Sequence, residues 1–220
     1  MSWESTELYY RLINEGIKAK LGGLHSAKIV MISVNFHEIE QLQHKGDWHG
    51  AAIMLSDAAK QIEAAGADFL LICTNTMHKV AREVQAAISI PLLHLADATA
   101  SRITDASITT VGLLGTNFTM QQDFYKGRLA QHGINVITPD ENDRQTVHRV
   151  IYEELCVGNI SENSRQQYLK IIDKLAANGA EAVIEGCTEI TLLVQQQHTA
   201  VRLFDTTTIH AQQAVVQACG

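Results

Sequence analysis

Residues Leu175–Glu189 read LAANGAEAVIEGCTE: an amphipathic tail, a glycine, a short β-branched apolar run and a loop of small polar groups. Residues Ile62–Thr76, IEAAGADFLLICTNT, give the same order without a gap, 113 positions earlier (Thr74 to Cys187). Gly66 meets Gly179, Asp68 meets Glu181, and Thr74 meets Cys187. One such match decides little, because helix–glycine–strand–loop is common in α/β proteins. Two more echoes keep the order. Leu95-Ala96-Asp97-Ala98-Thr99 parallels Leu203-Phe204-Asp205-Thr206-Thr207, and Glu7-Leu8-Tyr9 parallels Asp123-Phe124-Tyr125. Three echoes in sequence point to duplication.

The periodicity around these repeats predicts strands at Lys28–Val34, Asp68–Cys73, Ile90–Leu95, Ile108–Leu114, Ile134–Thr138, Glu181–Glu185 and Val201–Phe204. Between them it predicts helices at Trp48–Ala65, Thr119–Gln131, Asp140–Cys156 and Ser161–Asn178. Ser161 is placed as an N-cap and Gly179 as a stop. Nearly continuous apolar strands alternating with helices describe parallel sheets covered on both faces. The expected architecture is therefore α/β: two similar domains with parallel sheets flanked by helices, related by a pseudo-twofold axis, with the active site between them. The first half is expected to span residues 1–98 plus 206–220, the second 99–205. Strand Ile108–Leu114 and the turn Gly115-Thr116 precede Asn117, whereas nothing equivalent precedes Met1-Ser2-Trp3. A buried sheet without that strand would carry unpaired backbone groups, so the true start is expected upstream of Met1.

Bulk properties remove several classes. The 17 basic and 24 acidic residues give a net charge of −7, with Lys and Arg scattered, which argues against a nucleic-acid surface. No apolar run reaches the roughly 18 residues of a membrane span. Cys73, Cys156, Cys187 and Cys219 form no C-x-x-C pair or zinc-type spacing, and no signal peptide is visible; free thiols in a reducing cytoplasm are expected. No metal spacing joins the ten histidines, and no glycine-rich phosphate cradle appears.

In the self-alignment Cys73 falls opposite Gly186, at the end of a strand, while Thr74 and Cys187 both open a loop. Thr74 and Cys187 are thus the expected facing pair, and Cys73 a buried strand residue. Proton transfer to and from both faces of a carbon needs one acid and one base on opposite sides. A thiol suits this work, since strand-to-helix turns can lower its pKa.

The segments CTNTMH, EGCTEI and LLGTNFTM, with MSWESTELYY, resemble the cofactor-independent aspartate/glutamate racemase family across essentially the whole chain. The resemblance implies two similar α/β domains, a cysteine from each on opposite sides of the substrate Cα, no cofactor and a homodimer. It also implies an amino-acid substrate. This sequence departs from the pattern at one place: the first motif carries Thr74-Asn75-Thr76 where a cysteine is usual, with Cys73 one residue early. A strand alternates its side chains, so Cys73 is directed away. Cys187 is then the expected base and Thr74 the proton donor, with unequal rates in the two directions.

The remaining candidates carry a structural alternative each. Asn75, Thr76, Thr188 and nearby backbone amides could hold a carboxylate, or Asn75 and Thr76 could simply cap a helix. Thr116, Thr119, Met1, Ser2 and Trp3 lie in equivalent loops, as ligand contacts or caps. Gln43 resembles a substrate-contact position of the family. Glu189 could orient Cys187 or a substrate ammonium, or cap. His78 and His210 are weaker candidates, and His25, His37, His44, His49, His132 and His148 are expected at the surface or in loops. A single-cysteine decarboxylase or isomerase working through an enolate, and a catalytically weak amino-acid-binding protein, remain as alternatives. None of the arginines, such as Arg11, Arg82, Arg128 or Arg165, is assigned to a side-chain carboxylate.

Overall fold

The computed structural model describes Met1–Gly220. The chain divides into two compact units, Met1–Leu95 with His210–Gly220 and Ala96–Ile209.

The first unit begins with helices α1 (Trp3–Leu21), α2 (Phe36–Lys45) and α3 (Trp48–Ala64). A 3₁₀ turn at Thr76–Val80 then leads into α4 (Ala81–Ala86). Side-chain caps start the long helices: Ser2 accepts from the Ser5 amide, Asn35 from His37 and Asp47 from Gly50. The core joins Ile39, Ala51, Leu55 and Ala59 to Leu70, Ile72, Met77 and Val84.

The second unit holds α5 (Leu95–Asp105, starting at the boundary), β1 (Thr110–Gly115), α6 (Asn117–Gln121), α7 (Asp123–Gln131) and β2 (Asn135–Ile137). It continues through α8 (Glu141–Glu153), α9 (Glu162–Ala177), β3 (Ala182–Gly186), α10 (Ile190–Leu193) and β4 (Arg202–Asp205). Helix α11 (Thr206–Cys219) starts here and carries the chain back to the first unit. The strands form one parallel sheet in the order β2-β1-β3-β4. Strand β3 is buried along its whole length, and β1 from Val111 onward. Leu114 and Val183 pack against Val147, Val150 and Ile151 of α8 and Ile171, Ile172 and Leu175 of α9. Val111, Leu113 and Ile184, alternate to these, are equally buried. This two-faced burial is why both strands read as unbroken apolar runs.

The four strands expected in the second half form within a residue or two of their expected places. Ser161 caps α9 as expected, and Gly179 turns with φ +99°, a conformation glycine adopts without penalty. The expected helix Thr119–Gln131 is instead two, because Gln122 takes an extended conformation (ψ 154°) and Asp123 opens a new first turn. The first half departs further from expectation. Lys28–Val34 is not part of any ladder, and Asp68–Cys73 and Ile90–Leu95 share only one parallel bridge, Leu70↔Leu92. The physical reason is topological: no strand lies between 28–34 and 68–73 for either to bond, so neither can extend a sheet.

Candidate functional site

Each unit presents its own cluster of candidate residues at the end of a strand or strand-like segment. In the second unit, Gly186 closes β3 with its backbone pressed against β1: a Cβ there would sit 2.8 Å from the Leu114 carbonyl. The close approach aims the next residue, Cys187, out of the sheet. The Cys187 thiol donates to Glu189 Oε2 at 2.8 Å. Burial, followed by the Glu189 carboxylate and its hydrogen bond, pushes the thiol pKa well above the ordinary value. This corrects the expectation of a depressed thiol: the acidic neighbour and desolvation outweigh the one favourable contact, the Glu189 backbone amide. Cys187 rests as a thiol with a carboxylate poised on its proton.

Glu189 does not act as a cap, since its side chain makes no capping bond to α10. Thr188 is half-buried and receives a 3.5 Å bond from the Thr207 hydroxyl. Thr116 caps α6 by accepting from the Thr119 amide at 3.4 Å, and both threonines are buried. His148, expected at the surface, is half-buried and accepts from the Asn117 amide at 3.3 Å.

In the first unit the Thr74 loop is held from several directions. Met1 donates its terminal ammonium to the Cys73 carbonyl at 2.5 Å, and the Ser5 hydroxyl donates to the same oxygen at 2.9 Å. Burial raises the Cys73 thiol to about 11, consistent with an inert residue. Thr74 itself is half-buried. Asn75 and Thr76 are buried, but Asn75 makes no side-chain cap to the turn that follows. Ser2 caps α1, while Trp3 beside it is 68% exposed. Gln43 is buried, with its amide donating to Met77 Sδ at 2.9 Å.

Beneath Thr74 lies a histidine cluster that the sequence reading underrated. His78 Nδ1 stands 2.8 Å from the Thr74 carbonyl, which can only accept, so Nδ1 carries the hydrogen. His78 Nε2 then accepts from the Leu95 amide at 3.2 Å. By the same logic His210 Nε2 donates to the Leu93 carbonyl at 2.8 Å and Nδ1 accepts from the Tyr9 hydroxyl at 2.9 Å. His78 is 4.6 Å from His94 and 6.0 Å from His210, centroid to centroid. Burial pushes both pKa values down, His210 to about 4 and His78 well below the ordinary value. Both rings are neutral and locked in one tautomer. Only their separation in sequence hid them: residues 9, 78 and 210 meet through the fold alone.

A second residue missed in the sequence is Glu185, buried one residue before the end of β3 with Oε1 lacking a partner. Burial, aided by Asp205, raises its carboxyl to about 8. Asp97 is engaged with Arg128 at 2.7 and 2.8 Å and with His132 at 3.1 Å. No group of three or more His, Cys, Asp or Glu side chains is placed to hold a metal ion. No helix is long and apolar enough to cross a membrane.

Comparison with known proteins agrees with this architecture. The family model for Asp/Glu/Hydantoin racemase matches residues 1–214. The broad specificity amino-acid racemase RacX of Bacillus subtilis is 26% identical over 159 residues, covering 72% of this chain and 68% of that protein. A crystal structure of a candidate Asp/Glu racemase from Yersinia pestis superposes with a TM-score of 0.95 at 59% identity, covering 100% of this chain and 96% of the other. That of an aspartate racemase homologue from Pyrococcus horikoshii gives 0.87 at 33% identity, with 99% and 95% covered. With a match that spans nearly the whole sequence, the chain belongs to the Asp/Glu/Hydantoin racemase family, a family of isomerases.

Proposed function

We propose that the protein racemises an amino acid without a cofactor, with Cys187 and Thr74 working on opposite faces of the substrate Cα. One observation carries the reading: the Cys187 thiol donates to the Glu189 carboxylate at 2.8 Å, a base already placed on the proton that must leave. A substrate ammonium arriving beside this pair stabilises the thiolate, and the thiol proton passes to the Glu189 carboxylate, which becomes the neutral acid as the thiolate forms. The thiolate then takes the α-proton, and the electron pair moves into the substrate carboxylate as an enolate. Asn75, Thr76, Thr116, Thr119 and Thr188, with nearby amides including those of Ser2 and Trp3, supply donors for that charge. Gln43, from its family resemblance, shapes the substrate side chain's surroundings in this reading. Reprotonation from the far face comes from a solvent water through the Thr74 hydroxyl, which gains a proton from the solvent as it passes one on.

A hydroxyl is a far weaker acid and base than a thiol, so the two directions are unequal. Aspartate and glutamate are the first substrates to try, and the protein is expected to work as a cytoplasmic homodimer. The test is Cα deuterium uptake in deuterated water from each enantiomer, read by proton NMR. Cys187→Ser should lower uptake at least ~1,000-fold while ligand affinity holds. Thr74→Cys should speed the slower direction about 10-fold or more. Equal uptake from both enantiomers removes the unequal pair, and full activity in Cys187→Ser removes the thiol.

A further inference from the structure

Glu185 is the only buried carboxyl of the chain, 3% exposed, and its Oε1 accepts no hydrogen bond. The ladder fixes its neighbours. Glu185 pairs with Leu114 of β1 on one side and with Asp205 of β4 on the other. Registered residues of adjacent strands share a face, so the two acids stand side by side on the face covered by α8 and α9. Asp205 is engaged at both oxygens. Its Oδ1 accepts from the Thr207 and Thr208 amides at 2.9 and 3.2 Å, and its Oδ2 from the Thr208 hydroxyl. A carboxylate is favoured there, at the first turn of α11.

The same turn reaches back to β3 and to the loop that follows it. Thr206 donates its hydroxyl to the Glu185 carbonyl at 2.9 Å, and Thr207 donates to the Thr188 hydroxyl at 3.5 Å. What Asp205 anchors therefore also holds the Cys187–Thr188 loop. The other ionisable groups around this face have partners of their own. Tyr168 of α9 donates to the Val147 carbonyl, Glu154 pairs with Arg149, and Cys187 donates to Glu189. His148 of α8 takes the Asn117 amide and lies against the Tyr152 ring, while Cys156 is exposed. Burial, and then the charge of Asp205, raise the Glu185 carboxyl to about 8, so it carries its proton at neutrality.

We propose that Glu185 is a positioning residue for the racemisation, its protonated side chain letting Asp205 and the first turn of α11 close on the Cys187–Thr188 loop. This rests on the reading of Cys187 as the base. An ionised Glu185 would set a second anion beside Asp205, out of water and without a hydrogen bond at Oε1. The strain is relieved when the α11 turn opens and water reaches both acids. Opening breaks the Thr206 and Thr207 contacts, so the thiol loop loses its support with the proton.

Amide hydrogen exchange read by NMR, taken at each pH relative to the free-peptide rate, tests this without turnover. The amides to follow are Thr207 and Thr208, bonded to Asp205, and Ile190, bonded to the Cys187 carbonyl. In the open state Glu185 regains an ordinary carboxyl pKa near 4.5, so opening gains on closing as pH rises toward 8. Protection at the three amides should fall about 15-fold between pH 6.5 and 8.0, then level off. Glu185→Gln keeps the side chain's size without its charge, and Glu185→Leu removes the polar group; both should give flat profiles. A flat profile in the unaltered chain, or the same fall in either variant, would overturn the proposal. Protection at the three amides equal to that of Leu113 at every pH would also overturn it, since Glu185 would then act on global stability alone. A fully active Cys187→Ser would remove the base and leave this exchange result standing.

Discussion

At Cys187, a single contact decides how the chemistry starts. The thiol pKa is raised by burial and then by Glu189, so the base form is scarce near neutrality. If Cys187 is the base, α-proton exchange should climb with pH through the alkaline range rather than peak near 7. Glu189→Gln removes the repelling charge and the proton acceptor together. The alkaline midpoint should move to lower pH, while the plateau rate falls about 10- to 100-fold. A pH–rate profile whose midpoint does not move would assign Glu189 to substrate binding instead. The pairing of Thr74 with Cys187 is proposed from the self-alignment, residue against residue. The state of the thiol was not legible there, since it depends on desolvation and on where Glu189 folds back.

The element that positions Thr74 is the turn Thr76–Val80, tied by His78 to the Thr74 carbonyl and the Leu95 amide, and neighboured by His210 with Tyr9. Both histidines have folded pKa values below the unfolded one. Above pH about 6.5 both states are neutral and the full stability is present. As pH falls below that, the unfolded chain takes up protons that the folded chain refuses, and stability drops until the folded pKa is reached. For His210, at about 4, this amounts to roughly 3 kcal/mol lost between pH 6.5 and 4. His78 adds to the loss in the same direction. Urea unfolding at pH 7, 5.5 and 4.5 should show the decline, and His210→Gln should make it shallower. A flat profile would mean the rings are not held neutral. Period and turn chemistry announced β1 to β4, α3, α8 and α9. They could not announce this cluster, because histidine spacing in sequence carries no trace of it.

Across the whole molecule, the two units differ in how their backbones are satisfied. The second has a four-stranded ladder under buried faces, and the first has helices around one isolated bridge. Protection from exchange follows burial and hydrogen bonding, so amides of β1 and β3 should exchange at least about 1,000-fold more slowly than those of residues 28–34 in the 220-residue chain. Comparable rates in both would show that 28–34 pairs in solution. The duplicated plan makes the difference interpretable, since each unmatched segment of the first unit has a paired counterpart in the second.

The α/β class and the family were determined by the sequence alone, because periodicity, glycine stops and motifs are written residue by residue. Only the tertiary structure decided that Cys187 rests protonated on Glu189, that Glu185 is a buried acid, and that Tyr9 hydrogen-bonds His210 with the His78 ring beside it. The reason is physical. Desolvation and hydrogen-bond partnership depend on which groups meet in space, and distant segments meet only when the chain has folded.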